Sequence, residues 1–321
     1  MKKLYFITLI GVFFVSKGLV YAQKNPYQWP KVNKESKTWT RWWWMGSAVD
    51  KKNIARSLIA FEKAGIGGVE IEPIYGVKGK EKNFIDFLSP YWIEMLNYTI
   101  RVADSLQMGV DLTLGTGWPW GGKNVSLVDA AKRIFVRKLQ LKKGTLFSER
   151  VSPFETGTLI YPDQLDIRVF DSKKVRPSRK WGFREVGSVW PKLIGVFAFE
   201  TQNNFIDLTT KVINGQLEWM ATEGNYELFF VFEDQTRQKV KRAAPGGEGW
   251  VFDHFSWQAL ENYLMDFSSA FKNINGEIRS VFNDSYEVYK ANYTPGFFEA
   301  FENNRGYDLR PHINRLLDRD N

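Results

Sequence analysis

The sequence predicts an α/β protein: an incomplete (β/α)8 TIM-type barrel of about four β/α units, interrupted by an inserted all-β, sandwich-like domain. Near both ends of the chain, short apolar runs alternate with helical patterns, which is typical of parallel strands joined by helical crossovers. In the middle, from about residue 132 to 241, short alternating stretches are separated by Pro, Gly and Asn, and no long helical pattern occurs. The two patterns together predict a barrel that is interrupted by an inserted domain.

Residues 1–22 resemble an export signal. Lys2 and Lys3 precede an apolar run over residues 4–15, and a small residue, Ala22, ends a plausible cleavage site. The run is shorter than the ~20 residues that span a bilayer. We therefore predict cleavage after Ala22, a secreted or periplasmic protein, and no membrane span in the mature chain. The absence of cysteine excludes stabilisation by disulfides.

The first three barrel units are assigned to residues 23–131. Strands are predicted over residues 40–45, 69–74 and 110–114, and helices over 50–64 and 89–107. Asp50 has the character of an N-cap for the first helix. Because parallel strands end at the same edge of a sheet, the residues after each strand are expected to lie together.

The inserted β-domain is assigned to residues 132–245 and the fourth unit to residues 246–321. In the fourth unit, Ser256 caps a predicted helix, a strand follows over residues 278–285, and a second helix runs from 295 to 303 and ends at Gly306. Without the insertion roughly 190 residues remain, whereas a complete barrel takes ~250. The sequence therefore predicts either a portion of a longer protein or a sheet that closes in an unusual way.

Charge and aromatic content bear on the class of partner, although composition alone does not choose between sugars and nucleobases. The formal charge is 44 − 36 = +8, and it falls to about +5 when Lys2, Lys3 and Lys17 are removed with the signal. These cations are too scattered for a nucleic-acid stripe. Aromatic residues make up 16% of the chain, and flat rings stack on sugar faces as well as on bases. The residues at the predicted strand ends lead to the expectation of an oligosaccharide or polysaccharide substrate.

The predicted strand ends combine aromatic, carboxylate and amide side chains, which is typical of a sugar-binding lining. Reactive groups of β/α barrels lie at these ends. The candidate substrate-binding residues are Trp43, Trp44, Glu70, Glu72, Asp111, Trp118, Trp120, His254 and Asn283. For the tryptophans the alternative is core packing, and for the carboxylates it is surface solvation.

The strongest single element is the run Asn283-Asp284-Ser285-Tyr286-Glu287, which spans the end of the fourth predicted strand. Cleavage of a glycosidic bond needs one protonated carboxyl group beside the leaving oxygen and a second carboxylate. Glu287 is the candidate proton donor. The alternative is that Glu287 is a solvated loop residue and Asp284 a cap.

Four segments resemble glycoside hydrolase family 106, the secreted α-L-rhamnosidases. They occur in the family's order: TRWWWMGSAVDKKNIARSLIAFEKAGIGGVEI, LGTGWPWGG, KRAAPGGEGWVFDHFS and VFNDSYEVYKANYTPGFFEAFENNRGYDLRP. The resemblance covers most of residues 38–312. It implies a barrel interrupted by a β-domain, inverting hydrolysis of terminal α-L-rhamnosides in plant polysaccharides, and a calcium-assisted site.

The resemblance also implies roles for single residues. It assigns Glu287 as the acid, with Asp284 beside it, and expects a second glutamate on a later barrel strand, beyond Asn321. Family members are much longer than this chain, which implies that it is an amino-terminal portion. The alternatives to a hydrolase are a noncatalytic carbohydrate-binding protein and an inactive fragment.

Overall fold

The structure is a computed structural model that describes residues 29–153, 157–161, 166–170, 191–200, 204–283 and 285–316. The predicted export signal and Asp284 lie outside these residues. A four-stranded parallel sheet and three antiparallel sheets make up the β-structure of the described residues. This confirms a mixed α/β fold. None of the described helices is both long and apolar enough to cross a bilayer.

In chain order the strands are β1 (Trp39–Met45), β2 (Gly68–Ile74), β3 (Gly109–Thr113), β4 (Gly121–Gly122), β5 (Lys132–Leu141), β6 (Leu146–Arg150), β7 (Gly157–Tyr161), β8 (Asp166–Phe170), β9 (Lys192–Glu200), β10 (Phe205–Asp207), β11 (Val212–Ile213), β12 (Gln216–Met220), β13 (Tyr226–Gln235), β14 (Trp250–Val251) and β15 (Ser280–Phe282). The helices are α1 (Lys51–Lys63), α2 (Pro90–Ser105), α3 (Trp257–Phe271), α4 (Phe297–Arg305) and α5 (Ile313–Leu316).

The parallel sheet has the strand order β1-β2-β3-β15, with every neighbouring pair parallel. The first three strands and α1 to α3 confirm the predicted elements to within one or two residues at each end. The caps explain where the helices start: the side chains of Asp50, Ser89 and Ser256 accept hydrogen bonds from backbone N–H groups in the first turns of α1, α2 and α3.

The fourth parallel strand is shorter than predicted. It covers Ser280–Phe282 rather than residues 278–285. Its partner β3 ends at Thr113, which lies opposite Phe282, and the pairing of the two strands stops there. Glu287 consequently lies in a loop five residues past the strand.

Alternation along β1 separates its tryptophans onto two faces. Trp42 and Trp44 pack with α1 and α2 in the core on the helical side of the sheet, whereas Trp43 lies on the opposite face. Trp44 is fully buried, and its ring centroid is 5.7 Å from that of Trp92. The prediction that Trp44 contacts sugar is therefore wrong, because its strand position points it into the core.

The antiparallel region has two larger sheets that pack face to face. One has six strands in the order β10-β9-β13-β5-β7-β8, and the other has three in the order β11-β12-β6. Phe230 and Phe232 of β13 share a core with Phe147 and Leu217 of the smaller sheet. The alternate residues of β13, Phe229 and Val231, point to the other face of the six-stranded sheet.

Helix α4 covers that other face. Its Phe298 packs with Val136 and Phe197 of the antiparallel sheet rather than with the helical layer of the parallel sheet. The expectation that this helix completes a fourth barrel unit is therefore wrong within the described residues. Its predicted end is confirmed, because Gly306 takes the left-handed conformation, with φ 78°, just after the last helical turn.

Candidate functional site

Two of the predicted carboxylates lie in a layer of ion pairs across the parallel sheet. Arg41 Nε is 2.9 Å from Glu70 Oε1, and Arg279 Nε is 3.0 Å from Asp111 Oδ1. The register places Arg41 opposite Glu70 and Glu70 opposite Asp111. Each carboxylate thus has an arginine partner; Glu70 lies four residues before the carboxyl end of β2 and Asp111 two residues before that of β3. Their roles as substrate ligands stay predictions.

The arginines of this layer also lie over aromatic rings. Arg279 Cζ is 3.8 Å from the ring centroid of Trp39, and Arg41 Cζ is 4.6 Å from that of Phe282. Such contacts add cation–π attraction to the ion pairs. They fix the short strand β15 against β1 to β3, although it pairs with β3 through only three residues.

The next layer toward the carboxyl ends brings predicted site residues together. Trp43 is opposite Glu72 in the register of β1 and β2, and Glu72 is fully buried. The ring centroids of Trp43 and Trp118 are 6.3 Å apart, and Trp43 is 43% exposed. Trp120 Nε1 donates to Thr113 Oγ1 at 3.1 Å, which fixes its ring at the end of β3. Three of the predicted tryptophans therefore surround the mouth of the sheet.

The loop that carries Trp118 and Trp120 is held by a distant segment. Trp118 N donates to Lys241 O at 3.0 Å, and Lys241 N donates to Trp118 O at 2.9 Å. Gly117 has φ 55°, and a Cβ at this position would lie 2.0 Å from Lys241 O. A side chain at residue 117 would separate the two segments, so glycine is required here.

A continuous set of rings connects β3 with the loop that carries Glu287. The ring centroids are 6.2 Å apart for Trp120 and Tyr263, 5.0 Å for Tyr263 and Phe252, and 4.4 Å for Phe252 and His254. His254 then meets Tyr286 edge to face at 5.3 Å. We call these five residues the aromatic column.

His254 presents a hydrogen-bond acceptor. Its Nδ1 is 2.9 Å from Phe252 O, and since a carbonyl only accepts, Nδ1 carries the proton. Burial lowers the pKa of His254, which favours the neutral ring. Nε2 is buried and has no hydrogen-bond partner among the described residues. Its lone pair is suited to accept from a hydroxyl group. The Oδ1 atom of Asn283 is likewise buried without a hydrogen bond in the described part of the chain.

The carboxylate of Glu287 is half exposed and has two polar partners. Oε2 lies 3.4 Å from Lys241 Nζ and accepts a hydrogen bond from Tyr289 OH at 3.1 Å. Lys241 Nζ also donates to Tyr289 OH at 2.7 Å. The hydrogen bond to Tyr289 and, secondarily, the Glu287 carboxylate raise the pKa of Lys241. Glu287 is therefore oriented by a lysine and a tyrosine rather than enclosed by apolar rings.

Sequence reasoning missed Lys241, Tyr289 and Gln238. Gln238 Nε2 donates to Glu287 O at 2.7 Å, and Gln238 Oε1 accepts from Tyr289 N at 2.5 Å. These contacts join segments about fifty residues apart. A single sequence carries no signal for such pairing, although Tyr289 stands only two residues after Glu287.

Buried charges anchor the far end of the same loop. Lys132 Nζ is 3.6 Å from Asp253 Oδ2, and both side chains are buried. Thr294 Oγ1 donates to the same Asp253 oxygen at 2.8 Å. Glu233 is buried nearby, and burial raises its pKa despite the opposing charges of Lys132 and Lys192. Asp253 and Asp234 raise it further.

Glu233 is expected to make stability depend on pH. A carboxyl group with a raised folded-state pKa stabilises the fold below its unfolded pKa, and this contribution is lost as pH rises through the folded pKa. The Glu233→Gln variant should therefore gain stability relative to wild type as pH rises from 4 to 8. Each kcal/mol corresponds to about 2–4 °C in Tm. Thermal unfolding of both proteins across this range tests it, and a Tm difference independent of pH would contradict it.

Comparison with known proteins identifies the class to which this fold and site belong. Residues 30–181 and 188–319 match the family Glyco_hydro_106, described as alpha-L-rhamnosidase. The chain belongs to this family of glycoside hydrolases, which confirms the resemblance seen in the four motifs.

Two relatives are longer than this chain. It is similar to the structure of a rhamnosidase from Novosphingobium sp. PP1Y, with a TM-score of 0.67 and 16% identity, over 89% of this chain and 42% of that one. It is also 25% identical over 333 residues to a protein of Formosa agariphila named "Putative beta-glucuronidase", over 96% of this chain and 28% of the relative. The chain thus spans less than half the length of each.

Proposed function

We propose that this chain provides the proton-donating part of a hydrolase site for terminal α-L-rhamnosides of plant polysaccharides. Family membership is the observation that carries the proposal. It is supported by the position of Glu287, in the loop after β15, next to Tyr286, the last ring of the aromatic column. The expected reaction is inverting, with Glu287 as the acid and a second carboxylate activating water.

In this proposal Glu287 gives its proton to the departing glycosidic oxygen. Lys241 Nζ and Tyr289 OH both contact Glu287 Oε2, at 3.4 Å and 3.1 Å. They also hold the side chain in one orientation, which keeps the proton in line with its acceptor. Lys241 and Tyr289 are positioning residues for the acid.

The remaining side chains bind the sugar. Trp43 and Trp118 offer ring faces to the apolar side of a deoxysugar, and His254 Nε2 accepts from one of its hydroxyl groups. Asn283 and Glu72, at the ends of β15 and β2, complete the polar lining. Asp284 is proposed as the catalytic neighbour of Glu287 on the motif alone.

The wider context of the chain is also a proposal. The strands β1, β2, β3 and β15 are proposed as half of a (β/α)8 barrel, with residues 132–245 as a sandwich-like insertion. Their sequential parallel order supports this. Export to a secreted or periplasmic location is proposed from residues 1–22. Calcium remains an expectation from the family, since the described residues contain no group of three or more acidic or histidine side chains that could hold a metal ion.

Hydrolysis assays test the proposal directly. This chain, joined to the other half of the proposed (β/α)8 barrel, is incubated with an aryl α-L-rhamnoside and, because of the name of one relative, with the matching aryl β-glucuronide. We expect rhamnose release and at least about a hundredfold lower rate on the glucuronide, since a pocket that leaves a carboxylate unpaired rejects it strongly. Calorimetry with rhamnose-containing oligosaccharides accompanies the assay. Binding without hydrolysis would contradict the enzyme and favour a noncatalytic carbohydrate-binding protein.

A further inference from the structure

The buried carboxylate of Asp253 contacts three separate segments of the chain. Its Oδ1 atom accepts a hydrogen bond from Phe255 N at 3.0 Å, within its own loop. Its Oδ2 atom accepts from Thr294 Oγ1 at 2.8 Å and lies 3.6 Å from Lys132 Nζ. Lys132 begins β5, and Thr294 lies between β15 and α4. Because Asp253 is fully buried, these contacts are made away from bulk solvent and are stronger than surface contacts.

The first of these contacts fixes the backbone around His254. A carboxylate that accepts from the N–H group two residues later closes an Asx turn, and His254 is the central residue of this turn. Ser256 N also donates to Asp253 O at 3.1 Å. With the backbone fixed, Nδ1 of His254 stays 2.9 Å from Phe252 O, and Nε2 keeps its acceptor lone pair. Asp253 therefore determines which nitrogen of His254 accepts hydrogen bonds.

The second contact fixes the segment that follows the candidate acid. Thr294 lies seven residues after Glu287 in the chain. Between them, Asn292 N donates to Lys132 O at 3.3 Å, and Asn292 Oδ1 accepts from a backbone N–H group of β5 at 2.8 Å. The loop that carries Glu287 therefore runs from β15 to the buried anchor at Asp253.

We propose that Asp253 is a positioning residue, which holds the histidine that accepts from the sugar and the loop of the proton-donating glutamate in one fixed arrangement. This inference rests on the proposed function, because it concerns the residues of that same site. General acid catalysis requires the acid and the bound sugar to be aligned, and a displacement of about 1 Å can cost about a hundredfold in rate. Thr294 links the two loops, and Lys132 balances the buried charge of Asp253.

Thr294→Val tests this without removing a buried charge. Asp253→Asn would leave the Lys132 ammonium group buried without its counter-charge, which is strongly destabilising. Valine keeps the shape of threonine but cannot donate to Asp253. Thr294→Ser retains the hydroxyl group and is the conservative variant. Thr99→Val is the matched control, since it removes a hydroxyl group that donates to Met95 O at 2.8 Å inside α2.

The tautomer of His254 is the first measurement, and it needs no turnover. The chain contains two histidines, so long-range nitrogen–proton NMR spectra of ring-labelled protein show two rings, and His312→Gln identifies them. We expect one form, protonated at Nδ1, in wild type, Thr294→Ser and Thr99→Val. Thr294→Val should also show a form protonated at Nε2, because the ring is no longer held against Phe252 O. An unchanged tautomer in Thr294→Val, or the same change in Thr99→Val, would overturn the proposal.

Kinetics of this chain joined to the other half of the proposed barrel provide the second measurement. Thr294→Val should raise KM about tenfold and lower kcat by about ten- to a hundredfold on a rhamnoside with a poor leaving group. With a good leaving group kcat should fall by less than about threefold, because that bond needs little protonation. Thr294→Ser should restore the wild-type values.

The pattern of losses separates positioning from stability. Partial unfolding alone lowers kcat equally on both substrates and leaves KM unchanged, and this result in Thr294→Val would overturn the proposal. If the joined wild-type protein releases no rhamnose, the hydrolase is rejected, and the tautomers of His254 alone decide the role of Asp253.

Discussion

Replacement of Glu287 by Gln is expected to lower kcat by about 10²- to 10⁴-fold on a rhamnoside with a poor leaving group, the range that general acid catalysis contributes. The amide keeps the size of the side chain but has no acidic proton. The dissociation constant for rhamnose-containing ligands should change by less than about threefold, because Glu287 is half exposed and its replacement by Gln leaves no cavity. Steady-state kinetics and calorimetry measure the two quantities.

Choice of substrate and control makes this result specific. An aryl rhamnoside with a good leaving group needs little protonation, so the loss on it should be much smaller. Glu218→Gln, at an exposed position of β12, changes the same chemical group outside the site and should leave kcat unchanged. Normal turnover of the Glu287 variant on the poor leaving group would reject its role as the acid.

The neighbouring tryptophans of β1 should respond in opposite ways to truncation. Trp44→Ala is expected to lower the free energy of unfolding by about 3–5 kcal/mol, since it empties a fully buried site packed against Trp92. Trp43→Ala should cost far less stability, because its ring is 43% exposed. It should instead weaken sugar binding by about 2- to 10-fold through lost stacking.

Denaturant unfolding and calorimetry on both variants separate these effects. Each variant serves as the control for the other, since the same side chain is removed from adjacent positions of one strand. Similar unfolding free energies for the two variants would contradict the assignment of the strand faces. Unchanged sugar affinity in the Trp43 variant would remove its ring from the proposed binding site.

Local chemistry predicted the regular elements well. Asp50, Ser89 and Ser256 are capping residues whose bonds lie within one helical turn, so a single sequence contains all the information. The end of β15 and the packing of α4 could not be predicted from the local sequence. The first depends on where β3 stops, and the second on the exposed face of a sheet built from residues far away in the chain.

The candidate site was predictable by residue type but not by geometry. Trp43 and Trp118 were expected at the mouth and lie together there. Trp44 is buried because its side chain points to the core face of the sheet. The period of two assigns alternate residues of a strand to opposite faces, but it does not say which face is the core. The contact between Lys241 and Glu287 joins positions 46 residues apart, and no pattern in either segment predicts it.

The charged layer inside the parallel sheet has a consequence for strand alignment. From β1 to the residue just before β15 its signs run plus, minus, minus, plus, from Arg41 through Glu70 and Asp111 to Arg279. If the last strand slid by two residues, the side-chain faces would be preserved, but Asp111 would lose its arginine in a largely buried position. The apolar residues alone would tolerate that slip. The pairing of opposite charges thus selects a single alignment, and with it the height at which the following loop, and its glutamate, leaves the sheet.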